Sequence, residues 1–417
     1  MNIRWLASLL ACLIAGLGSS VLAGAAQFPQ DATFTTLITT PRPIEGLTGD
    51  NSGNLYVGGS SVLITLPPPC PIWQINLQNP SLQVVGNVPA AVTPAGACAF
   101  TGITFDAVGN LYQADGTAGR IYTFKPNAGS PPDATIFAQG APGTNGLAFD
   151  RDGNLWTSDG VTGQGRVWKI TGSGANCTSG QEINCVEVFR IQLMRNGTAL
   201  GGDISTIPTA NQPTQGVGRS ANTFPHTVAG GNPQDLVANG IAFNHQGDMF
   251  IIDTARGALW KVQFDRHGTL QSPVGCDTTF TDNTLCLSNV FLAHPILEGG
   301  DGIALDVAGN IWADANERDA VAVVTKDGRV AEVFRNPVNA SGLRSSADPS
   351  VGNDHILEFP TSPFISGKIF CTVNSDGNRR DNFPNTGGEV NPAGPGIGKI
   401  SCMDQELTIQ GLPLPVR

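Results

Sequence analysis

Residues 146–156 read GLAFDRDGNLW, and this eleven-residue repeat phrase occurs five times along the chain. The other copies are GLTGDNSGNLY from Gly46, GITFDAVGNLY from Gly102, GIAFNHQGDMF from Gly240 and GIALDVAGNIW from Gly302. Each copy has an apolar run after its first Gly, then a turn segment, then an aromatic residue that begins a second apolar run. Because Asp, Asn and Gly are favoured in tight turns, each copy predicts two strands joined by a hairpin.

Further strand-like segments follow the phrases. Third strands are expected at 120–124, 166–170, 259–264 and 320–325, and fourth strands at 134–138 and 331–334. Four short strands per repeat are typical of a propeller blade. We therefore expect an all-β protein, a six-bladed β-propeller of four-stranded antiparallel blades.

The carboxyl-terminal segment lacks the repeat phrase but resembles a blade in other respects. Residues 356–410 contain two strand-like segments, at 368–373 and 398–403. We expect a degenerate sixth blade here, with residues 33–38 as its outer strand and as the closure of the ring. Six blades are favoured over five or seven.

Composition limits the classes of partner. The net charge is −11, charged residues make up only 14% of the chain, and there is no basic run. An acidic surface argues against nucleic acid as a partner. No segment after the amino-terminal one approaches the roughly 20 apolar residues of a membrane span. We expect a monomer that binds a small molecule and has no membrane span.

The amino terminus has the pattern of a signal peptide, with Arg4, an apolar run over 5–21 and small residues at Ala23 and Ala26, after either of which cleavage can occur. Cleavage at either alanine fits, so residues 1–26 are the expected signal and 27–417 the mature single domain. The protein is then secreted or periplasmic.

Eight cysteines remain after removal of that segment, an even number that suggests disulfides in an exported protein. Since neighbouring cysteines fall within one repeat interval, we predict the pairs Cys70–Cys98, Cys177–Cys185, Cys276–Cys286 and Cys371–Cys402.

An insertion of residues from about 191 to 238 separates the phrases at Gly146 and Gly240. Connections between blades lie on the same face as the start of the first strand, so the insertion is a candidate lid over the central channel. A tolerated surface loop remains the equal alternative.

The residue before each phrase begins the innermost strand and should face the channel. These axial residues are Glu45, Thr101, Asn145, Asn239 and Asp301. Two carboxylates and two amides suit calcium, which accepts mixed oxygen ligands, and magnesium or manganese could replace it. Asn and Asp before Gly are also common turn formers, so a structural role for any single one remains open.

The phrases and their preceding residues resemble the senescence marker protein/gluconolactonase family, which includes regucalcin and secreted lactonases. The resemblance covers residues 45–324 and implies a six-bladed propeller that binds a divalent cation, typically calcium. It implies the metal ligands Glu45, Asn145, Asn239 and Asp301, with Asp301 also as general base or acid. The usual Pro near the first Glu is replaced by Gly46-Leu47, and the insertion and cysteine pairs differ from the family pattern, so the substrate class is not implied.

We therefore expect a calcium-dependent lactonase that opens its substrate by metal-assisted hydrolysis. Thr101, Asp115, Asp159 and Asp253 are candidate substrate-binding residues, with turn capping as the alternative for the three aspartates. A non-catalytic NHL-like propeller that binds a protein or glycan is the alternative function. A propeller lyase acting on a cyclic ester or polysaccharide is a third.

Overall fold

The structure, a computed structural model, describes most of the repeat-bearing part of the chain. The described residues are 28–29, 32–62, 65–93, 96–162, 164–178, 181–182, 184–191, 194–195, 198–199, 238–254, 256–278, 280–297, 299–316, 319–336, 356–375 and 398–415. The predicted signal (1–26) and nearly all of the predicted lid (191–238) lie outside these residues. No helix within the described ranges is long and apolar enough to cross a membrane.

The described residues form strands, with three short 3-10 turns at Ala90–Val92, Leu287–Asn289 and Pro295–Leu297. The strands of the first half are β1 (Phe34–Thr40), β2 (Leu47–Gly49), β3 (Asn54–Gly58), β4 (Cys70–Asn76), β5 (Gln83–Val88), β6 (Phe100–Phe105), β7 (Leu111–Asp115), β8 (Arg120–Phe124), β9 (Thr135–Gln139), β10 (Thr144–Phe149), β11 (Leu155–Asp159), β12 (Arg166–Ile170), β13 (Ala175–Asn176), β14 (Gln181–Glu182) and β15 (Cys185–Arg190). Those of the second half are β16 (Met194–Arg195), β17 (Thr198–Ala199), β18 (Ala238–Phe243), β19 (Met249–Asp253), β20 (Ala258–Val262), β21 (Val290–Ala293), β22 (Gly300–Leu305), β23 (Ile311–Ala315), β24 (Ala320–Val324), β25 (Val330–Arg335), β26 (Pro360–Ser366), β27 (Ile369–Asn374) and β28 (Gly398–Met403).

These strands form a six-bladed β-propeller, as predicted. The blades are β2–β5, β6–β9, β10–β12 with β15, β18–β21, β22–β25, and β26–β28 with β1, each an antiparallel sheet in that order. The short strands β13 and β14 add edges to the second and third blades. Buried apolar side chains fill the spaces between neighbouring blades, so the core is a ring of inter-blade layers.

The amino-terminal strand closes the ring, as the sequence predicts. β1 pairs antiparallel with β28, from Phe34 opposite Met403 to Thr40 opposite Gly398. The sixth blade therefore joins residues from both ends of the chain. Closure of this kind locks the first and last blades together and leaves only the short edges of the individual blades.

All four predicted disulfides are present: Cys70–Cys98, Cys177–Cys185, Cys276–Cys286 and Cys371–Cys402. The last pair joins directly opposed residues of β27 and β28 in the closing blade. Four disulfides in one domain are consistent with an extracellular protein.

The carboxylate of the repeat phrase closes its own hairpin. Asp150 Oδ1 accepts the backbone N–H of Asn154 at 2.9 Å, and its Oδ2 accepts the Nε1–H of Trp156 at 2.9 Å. The same bond between aromatic residue and carboxylate recurs in the pairs Tyr56–Asp50, Tyr112–Asp106 and Trp312–Asp306. In the fourth blade Asn244 and Phe250 occupy these positions, so the hydrogen-bond donor of the aromatic ring and the acid that accepts from it are lost together.

A β-bulge re-aims the axial residue of most blades. In the second blade Phe100 pairs with Asp115 and Ile103 with Gln113, so Thr101 and Gly102 together oppose one residue. Equivalent register shifts occur in the third to sixth blades. A bulge bends the strand and redirects a side chain, which places the axial residues toward the channel.

The phrase glycines let neighbouring first strands approach closely. A Cβ on any of them would lie 2.2–2.6 Å from the carbonyl oxygen of the next blade's axial residue, a distance that real Cβ contacts do not reach. The glycines are Gly46, Gly102, Gly146, Gly240 and Gly302. Glycine is required because any side chain would push the two backbones apart.

We predict that Gly102→Ala lowers the free energy of unfolding by roughly 1–3 kcal/mol, the usual cost of overpacking. Its Cβ would lie 2.2 Å from the Asn145 carbonyl oxygen, a backbone atom that cannot move alone. Urea unfolding measures the change. Gly129→Ala, at an exposed glycine with no atom closer than 3.6 Å to the new Cβ, is the matched control. Equal stability of the two variants would contradict the close packing at the axis.

Candidate functional site at the channel axis

Six residues, one from each blade, surround the channel at the start of the first strands. They are Glu45, Thr101, Asn145, Asn239, Asp301 and Thr361. The sequence pattern yields the first five but misses Thr361, because Ser362 replaces the phrase glycine in the sixth blade. Thr361 Oγ1 donates to the Glu45 carbonyl oxygen at 2.7 Å and so joins the last blade to the first.

Glu45 and Asp301 are buried carboxylates that interact with each other. Each is only 6% exposed. The pKa of Asp301 is raised well above its usual value, first by burial and then by the negative charges of Glu45 and Asp314. Hydrogen bonds from the side chains of Asn316 and Asn239 act in the opposite direction. The two charged groups that act on Asp301 are both carboxylates. The channel axis therefore holds several negatively charged groups in a buried, low-dielectric environment.

The first blade holds the carboxylate of Glu45 from one side. Its Oε2 accepts hydrogen bonds from Ser61 Oγ at 2.7 Å and from the Val62 backbone N–H at 3.0 Å. Both donors lie in the loop after β3. This loop therefore sets the orientation of the first axial carboxylate.

The two axial amides are held differently. Asn239 Nδ2 lies 3.1 Å from Thr254 Oγ1, and its side chain also hydrogen-bonds to Asp301. The Asn145 side chain packs against Gly160. Thr101, in contrast, donates its hydroxyl to the Thr144 carbonyl oxygen at 2.9 Å.

The donor set suits a hard divalent cation. Glu45 and Asp301 supply two negative charges, and Asn145 and Asn239 are buried amides at the same level of the channel. Calcium binds carboxylate and amide oxygens together, and a cation between two buried carboxylates offsets their repulsion. Among the described residues, no group of three or more His, Cys, Asp and Glu is placed to hold a metal. The axial set differs from such groups because half of its donors are amides.

Asp115, Asp159 and Asp253 lie at the ends of β7, β11 and β19 and are completely buried. Each carboxylate holds the turn that follows: Asp115 accepts the Ala118 N–H at 2.9 Å, and Asp159 accepts the Thr162 N–H at 2.9 Å. Burial raises the pKa of Asp115. These bonds stay within the blades and support the turn-capping alternative for the three residues.

Asp253 adds a fully buried ion pair to its turn. Its Oδ2 lies 2.9 Å from Arg256 Nη1 and accepts from Trp260 Nε1 at 3.2 Å. Neither side chain of the ion pair is exposed. The repeat phrase does not predict a role for Arg256, which lies three residues after the end of β19.

The channel is apolar on the other side of the phrase glycines. A cavity of about 90 Å³ extends from the glycines to the carboxyl-terminal residues Leu412 and Leu414. First-strand residues from all six blades line it, among them Leu47, Ile103, Leu147, Ile241, Ile303 and Phe364. The glycines therefore separate a polar end of the channel from an apolar one.

The family resemblance rests on a defined part of the chain. Residues 226–342 match the family profile described as SMP-30/Gluconolactonase/LRE-like region. This segment contains the phrases at Gly240 and Gly302, together with Asn239 and Asp301. The resemblance predicted from the sequence is confirmed. No curated protein matches the chain by sequence.

Solved structures share the fold at low identity. Regucalcin from Agrobacterium tumefaciens, a calcium-binding protein, superposes with a TM-score of 0.52 at 16% identity, over 94% of this chain and 99% of that one. The PQQ-bound form of an aldose sugar dehydrogenase from Streptomyces coelicolor gives 0.50 at 13%, over 90% and 100%. A gluconolactonase from Xanthomonas campestris gives 0.47 at 12%, over 91% and 93%. At such identities the first two likenesses show the propeller fold alone.

We predict that Asp253→Asn lowers the free energy of unfolding by about 3–5 kcal/mol, because it leaves the buried Arg256 charge without its carboxylate. Urea unfolding measures the loss. Asp327→Asn is the matched control, since the Asp327–Arg329 pair is exposed on a hairpin and such pairs contribute about 0–1 kcal/mol. A variant that kept its stability and lost affinity for a ligand would instead support the substrate-binding role of Asp253.

Proposed function

We propose that this chain, which carries an SMP-30/gluconolactonase-like region, is a metal-dependent lactonase whose site is the polar end of the channel. The observation that carries the proposal is the pair of buried, mutually repelling carboxylates Glu45 and Asp301 at the axis. Burying two like charges is costly unless a counter-charge accompanies them. A propeller that served only as a scaffold would have no need of them.

The residues that would hold the cation are Glu45, Asn145, Asn239 and Asp301. Calcium is the first candidate because all four provide oxygen, and magnesium or manganese are alternatives. When bound, such a cation polarises the carbonyl group of a lactone and offsets the negative charge that develops on its oxygen.

Asp301 is the proposed general base. Its carboxylate takes a proton from a water molecule as the water oxygen bonds to the lactone carbonyl carbon. The ring C–O bond then breaks, and the proton passes to the departing ring oxygen, which gives a hydroxy acid. Asn316 and Asn239 both donate to Asp301, and these bonds favour its charged form, which is the form that accepts a proton.

Residues next to the axis would contact the rest of the substrate. Thr101 and Thr361 are neutral and lie in the same ring as the carboxylates. Lactone substrates carry hydroxyl groups or apolar chains, and neutral residues accept either. The four disulfides support action in an oxidising compartment outside the cytoplasm, with 1–26 as the signal and 27–417 as the mature domain.

The decisive assay uses purified mature protein, a panel of aldonolactones and aliphatic lactones, and calcium that is either added or chelated. We expect turnover that chelation abolishes and calcium restores. Asp301→Asn should lower kcat by about 10²–10⁴-fold, the usual contribution of a general base. Asp404→Asn, an exposed carboxylate in the sixth blade, is the matched control and should be fully active.

Two results would contradict the proposal. Turnover that survives chelation and Asp301→Asn would place the chemistry elsewhere. Calcium binding without turnover of any lactone would favour the NHL-like propeller that binds a protein or glycan.

A further inference from the structure

A second set of residues surrounds the axial ring. In the second to sixth blades it consists of the residue that directly follows the second strand, here termed the exit residue. The exit residues are Gly116, Gly160, Thr254, Asn316 and Ser375. The strand register places each of them beside the bulge that carries the axial residue. The exit residues differ from blade to blade, and in the third to fifth blades each one is matched to the axial side chain that it contacts.

In the fourth blade Thr254 determines which way the Asn239 amide points. Thr254 Oγ1 donates its proton to the Gly300 carbonyl oxygen at 2.6 Å. The hydroxyl therefore has only lone pairs to offer Asn239, so the Asn239 atom 3.1 Å away must be the donor Nδ2. Asn239 Oδ1 is thereby directed away from Thr254, which suits it to bind a cation.

In the third blade the exit residue acts by its small size. A Cβ on Gly160 would lie 2.4 Å from Nδ2 of Asn145 and 2.9 Å from its Cγ. Any larger residue would displace the axial amide. Gly160 therefore leaves room for the Asn145 side chain. In the fourth blade, by contrast, the exit residue Thr254 makes a hydrogen bond to the axial side chain.

In the fifth blade Asn316 contacts the central carboxylate. Asn316 Nδ2 donates to Asp301 Oδ2 at 2.8 Å, and the Asn316 side chain is completely buried. Because an ionised carboxylate only accepts hydrogen bonds, the amide must present its N–H group to Asp301. Its Oδ1 is the other polar end of the same amide, and this buried atom has no hydrogen-bond partner among the described residues.

A buried amide oxygen without a partner is costly, about 1–3 kcal/mol, and such atoms often mark a functional site. The neighbouring group, Asp301, is a proposed cation ligand. Carboxamide oxygens are ordinary calcium ligands. Both ends of the Asn316 amide are thus explained if the residue belongs to the cation site.

We infer that Asn316 is part of the axial cation site: its Nδ2 holds Asp301 in place, and its Oδ1 is a further oxygen donor to the cation. The inference rests on the proposed function and extends it. Asn316 is a positioning residue toward Asp301, and Thr254 has the same role toward Asn239. Partners of metal ligands typically contribute 10–100-fold to metal affinity.

The test measures calcium affinity by titration calorimetry on the metal-stripped mature protein. It also records the thermal midpoint with and without calcium. Asn316→Ala removes both the donor and the oxygen, so we expect a 10–100-fold weaker affinity and a smaller calcium-induced rise of the midpoint. Thr254→Val, which removes only the hydroxyl that orients Asn239, should weaken affinity in the same direction.

Asn316→Asp separates the two roles of the amide. The variant keeps an oxygen but adds a third negative charge to Glu45 and Asp301. We expect a lower midpoint in the metal-free protein and a larger rise on adding calcium than in the wild type, because a ligand that binds only the folded state stabilises it. If Asn316 had only a structural role, Asn316→Ala and Asn316→Asp would both lower the thermal midpoint, and the calcium-induced rise of the midpoint would be the same as in the wild type.

The matched control is Asn310→Ala in the same blade. Asn310 is also a buried asparagine, and its Nδ2 donates to Asp306 Oδ2 at 2.7 Å, but this pair belongs to the hairpin at the other end of β23. It should lose stability and keep its calcium affinity. Wild-type affinity in Asn316→Ala would overturn the inference and leave the axial site intact. Absence of calcium, magnesium and manganese binding in the wild type would overturn both the inference and the metal dependence of the proposed function.

Discussion

The close approach of first strands around the axis is the constraint on which the rest of the molecule depends. Each phrase glycine faces the carbonyl oxygen of the next blade's axial residue at a distance that excludes a Cβ. Because this contact repeats around the ring, it sets the spacing of the blades and the diameter of the channel. A channel this narrow can bring together side chains from blades that are not adjacent in the ring. Glu45 of the first blade and Asp301 of the fifth interact for this reason.

The hairpins and the axis are linked through the second strand. At one end of that strand, the carboxylate of the phrase accepts a hydrogen bond from the aromatic residue, as Asp306 does from Trp312. At the other end, the exit residue touches the axial side chain, as Asn316 touches Asp301. A strand held at its outer turn presents its exit residue in a defined position. The residues of the repeat phrase thus stabilise the hairpin and, through the second strand, also help to position the exit residue at the site.

Much of the architecture could be predicted because the repeat encodes it locally. The hairpin turns, the four disulfides and the closing strand β1 all follow from patterns visible in the sequence, and the structure confirms them. The bulges were harder to foresee, although an isolated Gly in a strand is a known sign of one. The repeat pattern did not identify Thr361 as an axial residue because the sixth blade has Ser362 where the others have Gly. The roles of Asn316 and Arg256 could not be predicted from the sequence, because they depend on contacts between segments that the repeat pattern does not relate.

Ring closure and the charge at the axis are thermodynamically connected. The sixth blade lies between the two blades that carry the carboxylates, and Thr361 Oγ1 bonds to the Glu45 backbone across that junction. In the same blade Thr372 donates to Asp314, a buried carboxylate whose pKa is raised by burial and whose charge also reaches Asp301. Repulsion among these groups opposes closure, whereas the β1–β28 pairing and Cys371–Cys402 favour it. Any cation that binds Glu45 and Asp301 together must therefore stabilise the closed ring, and the strength of closure must in turn raise the affinity for that cation.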